Sequence, residues 1–227
     1  AIVSPLGTPT ILAVLDYLLE KQMPVVSPHS GLPTWAAPLK RTYFALQPSY
    51  QVEGRILAQY VLDELRPCRA GVFAVDDQFG QAGASAFTEE LQRAGAERDI
   101  QTFTLMHAAT EATPAKWVAE LAAHEPDLVL LYTYVKPAAD LLRTAHAAGF
   151  RPFWLGNYVI SGPDLFRLAG DGATHDVRAT SYPAGPRHHR GEGLYRKLMA
   201  RMYADESPGT HSRIGYAAAQ LVVEGLR

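Results

Sequence analysis

Residues 25–33 read VVSPHSGLP, a β-branched pair that runs into two serines, a histidine and a glycine with no carboxylate close by. Ser30 beside His29 supplies a hydroxyl and an imidazole, but a nucleophile–base pair needs a third group to orient the ring, and none is identifiable. The same residue types suit capture of a carboxylate or another oxyanion, because hydroxyls and backbone N–H groups gathered at a helix start all donate toward negative charge. SPLGT at 4–8 has the same character. On these stretches alone, hydrolysis and binding both stay open.

The other candidates for chemistry thin out quickly. AVDDQFG at 74–80 places an acidic pair at the end of an apolar run, where hard oxygen ligands could hold a divalent cation. With PDLVLLYTYVKPAAD at 126–140 it is similar to bacterial receiver domains, but Tyr132 stands where their phospho-accepting carboxylate would be, so phosphoryl transfer is excluded. Asp76 and Asp77 then read as caps of the loop and helix that follow. The chain contains no G-x-S-x-G elbow, P-loop, G-x-G-x-x-G or H-E-x-x-H. His188 and His189 are adjacent and point different ways on any regular element; with His175 and His211 they read as solvated loop residues. His107, His124 and His146 read as packing or surface residues. Cys68 is alone, which rules out an internal disulfide and a thiolate zinc site. No metal, cofactor or catalytic residue is expected. What the strand ends share is aromatic: Phe79, Tyr132, Tyr134 and Tyr158 could wall a small organic ligand and read its polar ends.

The elements that must position these residues follow from periodicity. Strands at 69–75, 99–106, 127–133, 152–157 and 176–183 alternate with helices at 84–95, from Thr113-Pro114 onward, 136–150 and 163–170, with 76–83 as a loop. Thr113 is expected at the N-cap and Pro114 at N1. Earlier, short strands at 1–3, 23–27 and 42–48 alternate with helices at 8–22 and 50–65. Helices at 191–206 and 214–227 close the chain. Such alternation implies right-handed βαβ units, parallel sheets and ligand sites at the carboxyl ends of the strands. At 227 residues the chain is long enough for one large or two small domains. A net charge of −2 argues against a nucleic-acid partner, and no apolar run approaches membrane-spanning length.

In this order the motifs resemble the solute-binding proteins of branched-chain amino-acid-type ABC importers, the leucine/isoleucine/valine-binding-like members of the type I periplasmic binding proteins. The matching stretches are GTPT (7–10), VVSP (25–28), LQPSYQVEGRILAQYVLDEL (46–65), VFAVDDQFGQAGASAFTEELQRAG (72–95), PDLVLLYTYVKPAADLLRTAHAAGF (126–150) and GYAAAQLVVEGLR (215–227). The resemblance implies an α/β fold of two doubly wound parallel-sheet lobes with a hinge. Residues 1–46 and 182–227 would form a first lobe, incomplete because the chain looks truncated at both ends, and 47–181 the second. TYFALQPS and ATSYP would be the crossings.

It further implies a monomeric, non-enzymatic protein, periplasmic or tethered at the cell surface, that closes on a small ligand and delivers it to a membrane permease. A ligand-sensing domain of the same fold is the alternative, and a hydrolase using Ser30 and His29 a third. By position, Gly7 or Thr8 and Ser30 or Gly31 would bind the ligand carboxylate, and Phe79 and Tyr134 would be its aromatic contacts. Amino-acid binders hold the ammonium with an acid after the strand equivalent to 152–157, where this chain has Asn157 and Tyr158. An unpaired buried ammonium is costly, so an aromatic acid, a simple carboxylate or an amide is expected in preference to leucine, with Tyr158 and His29 reading its polar groups.

Overall fold

The computed structural model describes residues 1–35, 37–182 and 190–227; His188 and His189 lie outside the described residues. The chain divides into two compact units. The first comprises Ala1–Ser30, Thr34–Gln47 and Ser181–Arg227, and the second Gly31–Pro33 and Pro48–Thr180.

The first unit opens with β1 (Ile2–Val3), α1 (Thr8–Glu20), β2 (Val25–Val26) and β3 (Tyr43–Phe44), its strands forming a parallel sheet in the order β1-β2-β3. β1 and β2 are only two residues long because each runs into a sharp turn. Ser4 and Ser27 both have φ of 52°, a left-handed conformation that L-residues rarely adopt, and each is followed by proline. The two Ser-Pro turns run side by side: Leu6 and His29 form a parallel bridge, and the His29 N–H donates to the Pro5 carbonyl at 2.8 Å.

The second unit begins with α2 (Tyr50–Tyr60), capped by the Ser49 side chain and continued by one π-helical stretch, Val61–Leu65. Then follow β4 (Arg69–Val75), α3 (Gln78–Arg93), β5 (Gln101–His107), α4 (Pro114–Ala123), β6 (Leu128–Tyr132), α5 (Val135–Ala147), β7 (Phe153–Gly156), α6 (Pro163–Ala169), α7 (Asp171–Thr174) and β8 (Val177–Ala179). The five strands are parallel, in the order β5-β4-β6-β7-β8. β4 and β6 are buried along nearly their whole length, as a central parallel strand covered on both faces must be. Phe73, Val129 and Leu131 pack with Trp117, Leu141 and Leu142 from the flanking helices into one core cluster. The chain ends in the first unit with α8 (Arg190–Met202) and α9 (Thr210–Gly225).

One expectation needs correction. Residues 78–83 are not loop but the first turns of α3, which starts at Gln78. The glycines that made this stretch look irregular are there for close packing: a Cβ on Gly80 would lie 1.9 Å from the Val75 carbonyl oxygen, and one on Gly83 2.0 Å from the Tyr132 ring. Thr113 also makes no capping bond; its hydroxyl donates to Glu111 instead.

Candidate ligand-binding site

In the first unit, α1 begins at Thr8 after Gly7, whose φ of 96° and missing side chain leave the helix start without a side-chain cap. Pro9 has no N–H, so the N–H groups of Thr8 and Thr10, at the positive end of the helix dipole, are the first-turn donors that receive no cap from a Gly7 side chain. Two hydroxyls are held there. Trp35 Nε1, which can only donate, gives its hydrogen to Ser30 Oγ at 2.7 Å, and Ser30 Oγ lies 2.8 Å from Thr8 Oγ1. Ser30 and Thr8 are both buried, and Trp35 is fixed by stacking on Tyr43 with ring centroids 5.1 Å apart. The array offers neutral donors in a pre-set arrangement, the chemistry that suits an oxyanion.

His29 does not serve Ser30. Its ring stacks on that of His211, centroids 6.5 Å apart, and burial followed by the His211 charge pushes its pKa down. The Ser30 oxygen accepts from an indole and shares a hydrogen with a threonine, and among the described residues neither partner is a base, so the Ser30–His29 hydrolase expectation fails on geometry.

The second unit carries the other sequence candidates. The strand order reverses between β4 and β6, and the crevice at that switch point is where open α/β sheets bind ligands. Asp77 follows β4 and caps α3, its Oδ1 accepting from the N–H groups of Phe79 and Gly80 at 2.8 and 3.0 Å. Tyr134 follows β6 and donates its hydroxyl to Asp77 Oδ2 at 2.6 Å; it is half-buried, and burial with the Asp77 bond pushes its pKa far up. Phe79 is buried and lies against Tyr134, Tyr132 and Tyr50, with centroids 5.0 to 5.3 Å apart. Gly31 packs so closely on Tyr50 that a Cβ would come within 2.8 Å of its ring.

Asn157 is fully buried. Its amide donates to the carbonyls of Leu131 and Thr133 at 3.0 and 3.1 Å and accepts from the Val159 N–H at 2.7 Å, which ties the end of β7 to that of β6. Tyr158 is likewise enclosed, and its N–H leads to a residue the sequence reading missed. Glu53 of α2 is 7% exposed; Oε1 accepts from the Tyr158 N–H at 2.8 Å and from the Thr180 hydroxyl, and Oε2 from the Tyr132 hydroxyl at 2.6 Å. Burial pushes its pKa up, opposed by the bonds from Thr180, Tyr132 and Tyr158. The signal was in the sequence: Tyr50, Glu53, Gly54, Leu57, Ala58 and Val61 are the buried residues of this helix, so the acid falls on the apolar stripe.

A buried histidine completes the strand-end network. His107 Nδ1 contacts the Ala108 carbonyl at 3.0 Å and Nε2 the Thr133 hydroxyl at 2.7 Å, which fits a neutral ring; burial lowers its pKa. Among the described residues, no group of three or more His, Cys, Asp or Glu is placed to hold a metal ion, and no helix is long and apolar enough to cross a membrane.

Known proteins share this architecture. A leucine binding protein from Thermotoga maritima superposes with a TM-score of 0.85 over 98% of this chain and 63% of its own, at 16% identity. A fatty acid ABC transporter substrate-binding protein from Thermomonospora curvata gives 0.82 over 96% and 56%, at 18% identity. At such identities the likeness establishes a shared fold, the two-lobed α/β fold of type I periplasmic binding proteins. In sequence, a Leu/Ile/Val-binding protein from Citrobacter freundii is 26% identical over 121 residues, 53% of this chain and 32% of that protein. The chain thus spans less than two thirds of the length of these relatives, which are binding proteins and not enzymes. The family model for "Periplasmic binding protein" matches residues 1–227, and the chain belongs to that family.

Proposed function

We propose that this chain captures a small carboxylate-bearing solute, an aromatic acid, a simple carboxylate or an amide, for delivery to the membrane permease of an ABC importer. Family membership implies an extracytoplasmic location; we place the protein in the periplasm or tethered at the cell surface. The observation that carries the ligand class is the uncapped start of α1 with Thr8 and Ser30 beside it, a set of neutral donors without a basic side chain among the bonds described. The ligands named for the relatives fit the same logic: leucine and a fatty acid have the carboxylate in common and not the ammonium.

Gly7, Thr8, Ser30 and Gly31 are proposed for the carboxylate, and Phe79 and Tyr134 for the body of the ligand. His29 and Tyr158 would read its remaining polar groups, with Asn157 holding the strand end beside them. An ammonium gains little here. Glu53 is the acid nearest Tyr158 in the hydrogen-bond network, and its two oxygens already take three donors.

The test is a thermal-shift screen of the full chain against leucine, benzoate, phenylacetate, succinate and benzamide. Ligand-linked stabilisation reaches about 2.7 kcal/mol at a hundredfold excess over Kd, so a genuine ligand gives an evident shift. A shift with an acid or amide and none with leucine supports the proposal. A shift with leucine alone overturns the ligand class.

A further inference from the structure

Glu53 makes none of the ligand contacts proposed above, yet it holds the part of the second unit where the chain enters and leaves. Besides the three-residue excursion of Gly31–Pro33, the chain has two main crossings: it passes from the first unit to the second at Gln47–Pro48 and back at Thr180–Ser181. α2 starts just after the first crossing, and β8 ends just before the second.

Two side-chain pairs fasten α2 to the β8 segment. The Thr180 hydroxyl donates to Glu53 Oε1, and the Arg178 guanidinium donates to the Tyr60 hydroxyl. Positions 178 and 180 share one face of an extended chain, and 53 and 60 lie two turns apart on one face of a helix. The remaining bonds of Glu53 reach Tyr132 at the end of β6 and the Tyr158 N–H after β7, so one carboxylate gathers donors from three strand ends. On the other side of the boundary, within the first unit, the Tyr182 hydroxyl donates to the Gln47 side-chain oxygen. The two crossing segments are thus laced together immediately before and immediately after they change unit.

A carboxylate suits this task. It accepts at both oxygens at once, from the Tyr158 N–H and the Thr180 hydroxyl at Oε1 and from the Tyr132 hydroxyl at Oε2. Gly54 presses the helix down behind it, since a Cβ there would come within 2.5 Å of Ala86 Cβ. Among the described residues no cation is a hydrogen-bond partner of this buried group, so its place on the apolar stripe calls for a reason other than burial.

We propose that Glu53 is a positioning residue that fastens the two main crossings to one point of the second unit, confines their bending to the short stretches at 47–49 and 180–182, and so governs ligand affinity without touching the ligand. The inference borrows from the proposed function only the premise that the crossings act as a hinge.

Its test needs no ligand, which separates its failure from failure of the ligand class. Cys68 is exposed and the chain's single cysteine; it takes one nitroxide, and a Lys21→Cys substitution in the first unit takes the second. The distance distribution between the labels is then measured by pulsed electron–electron resonance on the full chain. Glu53→Ala and Thr180→Val are expected to broaden it. Glu53→Gln, which can still accept from Tyr158 and Thr180 and can donate to Tyr132, is expected to restore the wild-type width. Thr133→Val, which breaks the His107 bond in the same unit, should leave it unchanged. An unaltered width in Glu53→Ala overturns the proposal, as does equal broadening in Thr133→Val, which would reduce Glu53 to a general stabiliser. Should Glu53→Ala fail to fold, Thr180→Val, which deletes a single donor, decides between the same outcomes.

Discussion

The Tyr134 hydroxyl donates to Asp77 Oδ2 at 2.6 Å, joining the residues that follow β4 and β6 where the second sheet reverses its strand order. The bond commits the polar end of Tyr134 to the protein, so the ligand contact proposed for this residue falls to its ring. It also loads Asp77 with three donors, since the same carboxylate caps α3.

Asp77→Ala is therefore expected to cost more than a lost surface charge. Removing a helix cap typically costs about 1 kcal/mol, with a range of roughly 0.5–2, and the orphaned Tyr134 hydroxyl adds to it. Urea unfolding of the variant should show this loss. Tyr134→Phe should show a smaller one, because it leaves the cap in place.

Ser30→Ala removes the acceptor of the buried Trp35 indole N–H. Leaving a buried donor unsatisfied costs about 1–3 kcal/mol, so the midpoint of urea unfolding should fall by a corresponding amount. If the carboxylate reading is right, the variant also loses the thermal shift given by whichever acid stabilises the wild type.

Gly80→Ala and Gly83→Ala test the close packing at the start of α3. Overpacking a core typically costs about 1–3 kcal/mol, and at Gly80 the obstacle is the backbone oxygen of Val75, which cannot rotate away. Gly80→Ala is expected to be the worse of the two, judged by the soluble yield and melting temperature of each.

Stability should respond to pH in two opposed ways. Burial depresses the pKa of His107, and burial with the His211 charge that of His29, below the ordinary 6.5. The unfolded chain therefore takes up protons first as pH falls past that value, and stability is lost down through the folded pKa. Glu53 runs the other way: its pKa is raised above 4.5, so its contribution is present below that value and is lost as pH rises through the raised pKa. Urea unfolding across pH 4–8 should show His107→Gln flattening the acid-side loss. The stability of Glu53→Gln relative to wild type should climb with rising pH and then level off.

Much of this architecture is legible in the sequence because β4, β6 and β7 are short apolar runs separated by helices of regular period. The start of α3 was hidden because Gly80 and Gly83 are breakers by propensity; their justification, the Val75 carbonyl and the Tyr132 ring, comes from residues brought close only by folding. Thr8, Ser30 and Tyr134 could be selected as strand-end and helix-start residues, but Trp35, which anchors Ser30, carried no local mark. Asn157 and Tyr158 stand where the sequence offers no acid, and the acid at that strand end arrives from Glu53, 104 positions before Asn157 in the chain. Sequence distance conceals such a partner unless a charge on an apolar helix stripe is taken as a demand for donors.

The fastening of α2 to β8 has an architectural consequence. Apart from Gly31–Pro33, the second unit is one uninterrupted stretch, Pro48–Thr180, and Glu53 holds Thr180, its last residue, only five positions from its first. A stretch whose two ends emerge near one anchor is a cassette: it can be excised, replaced by a homologous insert or rejoined end to end with little disturbance of its own core. New recognition surfaces could be traded into this scaffold by exchanging that cassette whole, with the acid and its threonine serving as the seam.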